Sequence, residues 1–255
     1  MNSNSVRFTG LYYEVHGGRR LRSSGPSVIV LNHQHSIDVL ALFHLWPEVV
    51  RCTTLAKREL LYFTGPFGWV AWLGGTTFIN RKKSQVRSRG ERMTDKYSLE
   101  SITLACIAHV RIFYMSVKRV SSFLKKACFV KAVRPLQESR EILHDVVSSA
   151  RSSSTSVAVF PEGTRHHTRG RRDLLPFKLG AFAAAIHASV PVVPVVISHY
   201  HFLDAARGVM ETGRVSVRVL EPVDSGRYAG NAALMAKEVR EKMLKVLREE
   251  EGVET

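Results

Sequence analysis

Short apolar runs rich in β-branched residues recur along this chain, and helix-like segments separate them. VIVL at 28–31 and VAVF at 157–160 are uninterrupted apolar runs of strand length, a pattern typical of strands that are buried on both faces. Residues 37–46 and 136–150 have the length and periodicity of helices, and Pro47 ends the first of them. Strands that alternate with helices predict an α/β domain.

The rest of the chain continues this alternation. TTFIN at 76–80 is a further strand candidate, and residues 177–188 form an apolar helix candidate. RVSVRVL at 214–220 alternates polar and apolar residues, as a half-exposed strand does, and residues 232–249 read as a charged amphipathic helix. VPVVPVVIS at 190–198 also has strand character, but its two prolines predict an edge strand or an irregular segment.

One region departs from this rhythm and predicts an insert, helical or disordered, at about 90–133. Its first half is apolar but carries His109 and Arg111, and its second half is basic and amphipathic. One interpretation is a segment that packs on the domain or is poorly ordered. The other is a membrane-surface helix, because a basic amphipathic face suits anionic lipid headgroups.

The net charge of the chain indicates which classes of partner it binds. With 37 basic and 22 acidic residues, the formal charge is +15, which favours nucleic acid, an anionic membrane surface or phosphorylated substrates as partners. No recognition-helix or RNP pattern supports nucleic acid. Three widely spaced cysteines, Cys52, Cys106 and Cys128, indicate neither a disulfide framework nor a zinc knuckle. No uninterrupted apolar run reaches the roughly 18 residues of a membrane span.

The stretch HQHSID at 33–38 allows two kinds of chemistry. In a metal site, His33, His35 and Asp38 would be ligands. In a general-base site, His33 follows a strand, Asp38 begins a helix, and a turn between them brings the carboxylate to one ring nitrogen. The other nitrogen is then able to take a proton from a hydroxyl.

The HxxxxD spacing by itself has little specificity, since short motifs recur by chance. A second copy runs from His199 to Asp204, and there we expect only polar residues beyond a strand end. No serine or cysteine stands in a recognisable nucleophile elbow. Direct attack by a substrate hydroxyl is therefore the most economical mechanism for the base interpretation.

Basic residues follow the other predicted strands. GTTFINR at 75–81 ends in Arg81, FPEGTR at 160–165 ends in Arg165, and LAKREL at 55–60 contains Lys57. Strand ends of an α/β sheet meet at one edge, where ligands bind, and guanidinium groups suit phosphate. Any one of these residues could equally be a solvated surface charge, but all of them in this order favour a phosphate site.

Together these stretches resemble the glycerolipid acyltransferase family, and within it the 1-acylglycerol-3-phosphate acyltransferases. The resemblance covers roughly residues 11–89 and 136–247. It implies a single acyltransferase domain over 1–255, with a mixed, largely parallel β-sheet flanked by helices. Four blocks stand in the order of the family: NHQHSID (32–38), GTTFINR (75–81), FPEGTR (160–165) and VPVVPV (190–195).

The resemblance also implies roles for the matched residues. The general base would be His33, with Asp38 orienting it, and His35 would be a bystander. The substrate-binding set would hold and shape the acceptor phosphate site, and two prolines would belong to an acyl-donor or structural block. The substrate-binding set is Lys57, Arg81, Glu162, Gly163, Thr164 and Arg165, and the prolines are Pro191 and Pro194. No metal and no cofactor is implied, because acyl-CoA is a co-substrate.

The implied reaction transfers an acyl group from acyl-CoA to the sn-2 hydroxyl of lysophosphatidate, giving phosphatidate and CoA. Glycerol 3-phosphate or another lysophospholipid is the alternative acceptor, and nucleic-acid binding is the alternative of a different class. The implied location is the membrane surface of the endoplasmic reticulum. Family members usually carry apolar helices ahead of the first block, so we expect a fragment, an alternative product, or a form that binds membranes peripherally. The aromatic segment at 60–75 would line an acyl tunnel, touch lipid, or pack in the core.

Overall fold

The computed structural model describes residues 6–8, 10–35, 37–49, 51–57, 76–79, 139–165, 173–204 and 209–251. The expectations for the aromatic segment at 60–75, for Arg81 and for the insert at 90–133 lie outside these residues.

The predicted strands and helices are present within a few residues of their expected bounds. The strands are β1 (Val6–Phe8), β2 (Leu11–His16), β3 (Val28–Leu31), β4 (Cys52–Lys57), β5 (Thr77–Ile79), β6 (Ser156–Val159), β7 (Val192–Ile197), β8 (Leu203–Asp204), β9 (Val209–Met210) and β10 (Gly213–Val219). The helices are α1 (Arg19–Ser23), α2 (Asp38–Leu45), α3 (Ser139–Ser152), α4 (Gly180–His187) and α5 (Ala232–Glu251). Single 3₁₀ turns cover Trp46–Glu48, which includes Pro47, and Ser225–Tyr228.

Eight of these strands form one sheet in the order β1-β2-β10-β7-β3-β6-β4-β5. Strands β7, β3, β6, β4 and β5 run parallel to one another. Strand β10 is antiparallel to β7 and parallel to β2, and β1 is antiparallel to β2. The prediction of a mixed, largely parallel sheet is confirmed. The carboxyl ends of the five parallel strands meet at one edge, which we call the C-terminal edge.

The prediction of an edge strand at 190–198 is wrong, because β7 lies between β3 and β10. Successive residues of a strand direct their main-chain groups to alternate sides. The carbonyl of Pro191 accepts from the Val28 N–H on the β3 side, whereas that of Pro194 accepts from Leu220 N–H on the β10 side, at 2.9 Å in each case. The missing N–H of Pro194 therefore faces β10 where that pairing ends next to Val195, and the β3 pairing loses no hydrogen bond.

Both faces of the central sheet are covered. Val28 and Val30 of β3 pack in one hydrophobic cluster with residues of α3, α4 and α5. Ile29 and Leu31, on the opposite face, pack in a second cluster with residues of α1 and α2. This double burial explains why the VIVL run is uninterrupted. Strand β10 alternates buried valines with the exposed residues Arg214 and Arg218, so its prediction as a half-exposed strand is confirmed.

Among the helices that the structure describes, none combines the length and the apolar character needed to cross a bilayer.

Candidate active site

Asn32 determines where the chain leaves β3. Its buried side chain donates from Nδ2 to the Ile197 carbonyl at 2.9 Å and accepts from the Ile197 N–H at 2.8 Å. The amide side chain thus extends the pairing of β3 with β7 by one position. The residue that follows, His33, is held at the C-terminal edge.

His33 and Asp38 form a hydrogen-bonded pair. The chain turns between them, with Asp38 N–H donating to the His35 carbonyl at 3.2 Å, and α2 begins at Asp38. His33 Nδ1 lies 2.8 Å from Asp38 Oδ2. The His33 side chain is 23% exposed and that of Asp38 is 0% exposed, so the ring is accessible while its partner is not. The ring stacks on Phe160 with centroids 4.3 Å apart.

Asp38 is an acceptor at both oxygens. Oδ2 also accepts from the main-chain N–H of Gln34 at 2.7 Å and of His35 at 3.0 Å, and Oδ1 accepts from the Tyr200 hydroxyl at 2.7 Å. Such bonds offset the cost of burying a carboxylate, and the first turn of α2 favours its negative charge. Because Asp38 accepts, His33 Nδ1 carries the hydrogen, and Nε2 of the neutral ring is left as a proton acceptor.

His35 contributes to this turn through its main chain. Its N–H binds Asp38 and its carbonyl accepts from the Asp38 N–H. Within the described ranges, no three His, Cys, Asp or Glu side chains are grouped so that they could hold a metal ion. The described arrangement is an accessible imidazole hydrogen-bonded to a buried carboxylate.

The turn after β6 places a second carboxylate beside His33. Glu162 is only 3% exposed. Its Oε1 accepts from the His33 main-chain N–H at 2.8 Å, and its Oε2 accepts from the Leu175 N–H at 3.0 Å. Glu162 thus ties the His33 backbone to two neighbouring segments. The role implied for it by the resemblance, shaping the acceptor site, stays a prediction.

Gly163 completes that turn. Its N–H donates to the Phe160 carbonyl at 3.1 Å, and its φ of +72° is left-handed, a region that favours glycine. A Cβ here would lie 2.6 Å from Cε and Nζ of Lys178. Lys178 N–H in turn donates to the Pro161 carbonyl at 2.8 Å. A basic side chain that the sequence did not single out therefore lies against the FPEGTR turn.

Two further residues near the pair were missed by the sequence reasoning. Gln34 donates from Nε2 to the carbonyls of Ile197 and Ser198 at 2.9 and 3.0 Å, and its Oε1 lies 3.0 Å from His199 Nδ1. The Tyr200 hydroxyl donates directly to Asp38 Oδ1. The available signal was positional: Gln34 directly follows His33, and residues after a strand parallel to β3 lie at the same edge as His33.

Comparison with known proteins gives the family. A family profile described as Acyltransferase matches residues 13–198. The chain belongs to the acyltransferase family. The resemblance inferred from the motifs is therefore confirmed.

This acyltransferase-family chain is similar to several named enzymes. It is 30% identical over 243 residues to 1-acyl-sn-glycerol-3-phosphate acyltransferase alpha of Mus musculus, covering 94% of this chain and 65% of that protein. It is 35% identical over 222 residues to the beta enzyme of Homo sapiens, covering 85% and 57%. The chain thus spans 57% to 65% of the length of these two relatives.

The fold is shared with a solved structure. The crystal structure of the 1-acyl-sn-glycerophosphate acyltransferase PlsC from Thermotoga maritima matches with a TM-score of 0.53 and 20% identity. The match covers 94% of this chain and 72% of that one. At this identity the likeness establishes the fold of the acyltransferase-family chain.

The other residues predicted for the site lie at both edges of the sheet. Lys57 is the last residue of β4, at the C-terminal edge, and Arg165, the last residue of FPEGTR, is exposed. Thr164, beside it, is exposed as well. Pro191 precedes β7 and so lies at the opposite edge from His33, where it accepts from the Val28 N–H. The acyl-donor role of the proline block stays a prediction.

Burial sets the protonation of two groups in this acyltransferase-family chain. Burial, with a smaller effect of the Asp38 charge, raises the pKa of Tyr200 well above its usual value, so this hydroxyl stays a donor. Burial also raises the pKa of Cys52 to about 12. Cys52 begins β4, at the edge opposite His33, and is not placed to be a nucleophile for this site.

Proposed function

We propose that this chain transfers an acyl group from acyl-CoA to the sn-2 hydroxyl of 1-acyl-sn-glycerol 3-phosphate, giving phosphatidate and CoA. The observation that carries the proposal is the hydrogen bond between Nδ1 of the accessible His33 and Oδ2 of the buried Asp38. The identity of the acceptor is supported by the names of the relatives in mouse and human.

The reaction uses His33 as a general base. Its Nε2 takes the proton of the sn-2 hydroxyl while the oxygen attacks the thioester carbonyl, and Asp38 stabilises the imidazolium that forms. The tetrahedral intermediate then collapses, the carbon–sulfur bond breaks, and the CoA thiolate recovers the proton from Nε2. A thioester is already activated, so a base and a stabilised oxyanion suffice.

The charged residues around the pair would hold the acceptor. Arg81 and Arg165 bind its phosphate in this proposal, with Lys57 and the turn at Gly163 and Thr164 completing the acceptor site. Guanidinium groups form bidentate contacts with phosphate. The formal charge of +15 favours attachment to an anionic membrane surface, and the membrane of the endoplasmic reticulum is the expected location.

The experiment is an acceptor panel with labelled acyl-CoA, in which the full chain meets lysophosphatidate, glycerol 3-phosphate and other lysophospholipids. Lysophosphatidate should be the best acceptor. His33→Ala should abolish transfer, and Asp38→Asn should lower kcat by about two orders of magnitude, as for other carboxylates that orient a base. His16→Ala is the matched control, because His16 is exposed at the opposite edge of the sheet.

Three outcomes would contradict parts of this proposal. Transfer that survives His33→Ala would remove the general base. Inhibition by a chelator that zinc reverses would restore the metal interpretation of HQHSID. Salt-sensitive DNA binding without any acyl transfer would favour the nucleic-acid alternative.

A further inference from the structure

We propose that Tyr200 is a positioning residue for the His33–Asp38 pair, acting through the second oxygen of Asp38. The inference rests on the proposed function, since it assigns a role within that same site. Tyr200 lies outside every block that carries the resemblance, because the last of them ends at residue 195.

The two oxygens of Asp38 face different parts of the chain. Oδ2 faces the turn that follows β3, where it accepts from His33 Nδ1 and from the N–H groups of Gln34 and His35. Oδ1 faces the segment that follows β7, where it accepts from the Tyr200 hydroxyl at 2.7 Å. A carboxylate held at both oxygens cannot rotate about its Cβ–Cγ bond without losing a hydrogen bond to a charged group. The direction of Oδ2 toward Nδ1 is thereby fixed.

Strand pairing between distant segments of the chain places Tyr200 beside Asp38. β7 is hydrogen-bonded beside β3, and the amide side chains of Asn32 and Gln34 hold the Ile197 carbonyl. Tyr200 comes three residues later, and its ring packs near that of Phe202, with centroids 5.6 Å apart. The raised pKa of Tyr200 keeps the hydroxyl protonated, so it remains a donor to Asp38.

Tyr200→Phe tests the hydroxyl separately from the ring, because phenylalanine keeps the packing of the ring and loses only the hydrogen-bond donor. A hydrogen bond to a charged group is stronger than a neutral one, and we expect kcat for lysophosphatidate acylation to fall about tenfold or more, with the size set by how far Asp38 relaxes. KM for lysophosphatidate and for acyl-CoA should stay unchanged, since the hydroxyl contacts Asp38 and is assigned to neither substrate.

Two tyrosines provide matched controls. Tyr228 makes the same kind of bond away from the site, with its hydroxyl 2.6 Å from Glu238 Oε2 on α5. Tyr13 is buried in the same cluster as α2, and its hydroxyl makes no hydrogen bond to any described residue. Tyr228→Phe and Tyr13→Phe should leave kcat within about twofold of the unsubstituted enzyme, because neither hydroxyl donates a hydrogen bond to Asp38.

A spectroscopic readout tests the positioning independently of activity. In protein labelled with ¹⁵N-histidine, the Nδ1–H proton of His33 is assigned by its loss in His33→Ala. This resonance should move or broaden in Tyr200→Phe and stay in place in the two control variants. If Tyr200→Phe does not fold, hydrogen exchange of the unsubstituted protein takes its place, because a hydroxyl bound to a buried carboxylate should exchange slowly.

The outcomes distinguish the two proposals. Loss of transfer in His33→Ala, with an unchanged kcat and an unchanged Nδ1–H resonance in Tyr200→Phe, would overturn the role of Tyr200 and leave the proposed function standing. Transfer that persists in His33→Ala would overturn the proposed function. The resonance would still show whether Tyr200 orients the pair. Rapid exchange of the Tyr200 hydroxyl would contradict the contact itself.

Discussion

Glu162 is the residue for which sequence and structure predict different consequences of one substitution. The resemblance places it in the acceptor site, so its loss should raise KM for the acceptor. The structure places its buried carboxylate between two main-chain N–H groups, those of His33 and Leu175. Its loss should then destabilise the fold and move His33. The change that separates the two is Glu162→Gln, which preserves shape and removes one acceptor.

The expected loss of folding stability follows from the number of hydrogen-bond acceptors that each substitution removes from residue 162. Glutamine keeps one oxygen and presents an amide donor to the other N–H, so one hydrogen bond to a charged group is lost and one buried donor is left unsatisfied. Hydrogen bonds to charged groups contribute about 1.5–3 kcal/mol each, so Glu162→Gln, which loses one of them, should cost about 1.5–3 kcal/mol. Glu162→Ala removes both and should cost about 3–6 kcal/mol. Against a typical stability of about 5–15 kcal/mol, the glutamine variant should still fold.

The assay is urea denaturation in detergent micelles, combined with steady-state transfer on the same preparations. We expect a lower unfolding midpoint and a lower kcat for Glu162→Gln, with little change in KM. Glu221→Gln is the control: Glu221 is 76% exposed and pairs with Arg20, so its loss should cost no more than about 1 kcal/mol. A Glu162→Gln variant that unfolds like the native protein but has a raised acceptor KM would refute this reasoning and restore the acceptor role.

Three further predictions concern the acceptor site, the FPEGTR turn and the membrane. Arg81→Ala and Arg165→Ala should each raise KM for lysophosphatidate about tenfold, and substitution by lysine should restore it only in part. An unchanged KM with a lower kcat would show that the substituted arginine does not bind the phosphate. Gly163→Ala should lower the free energy of unfolding by about 1–3 kcal/mol, because its φ of +72° is left-handed. Gly25→Ala, at a φ of +63° with open space around it, should cost about as much, since the Lys178 atoms beside Gly163 are the end of a flexible side chain that moves aside. A clearly larger loss at Gly163 would show that Lys178 is held in place. The fraction of the protein that sediments with anionic vesicles should fall as the salt concentration rises, because salt screens the attraction. If alkaline carbonate extracts none of the protein, it is inserted more deeply into the membrane.

The local part of the candidate site was predictable from the sequence. His33 and Asp38 are five residues apart, and a strand followed by a turn and a helix is enough to bring them together. The two faces of β3 were likewise implied by its uninterrupted apolar run. The central position of β7 could not be predicted in this way, because prolines normally indicate an edge strand. In β7 the missing N–H of Pro194 faces the end of the pairing with β10, so the strand is tolerated inside the sheet.

The sequence by itself determined the alternation of strands and helices, the family, and a histidine–aspartate pair closed by a short turn. Only the tertiary structure decided which residues support that pair. Glu162 is 129 residues from His33 and Tyr200 is 162 residues from Asp38, and both reach the site because β6 and β7 lie on either side of β3. Hydrophobic periodicity reports which residues of a strand are buried, but it carries no information about which strands are neighbours. Contacts at the C-terminal edge therefore depend on strand order, which arises only when the whole sheet assembles.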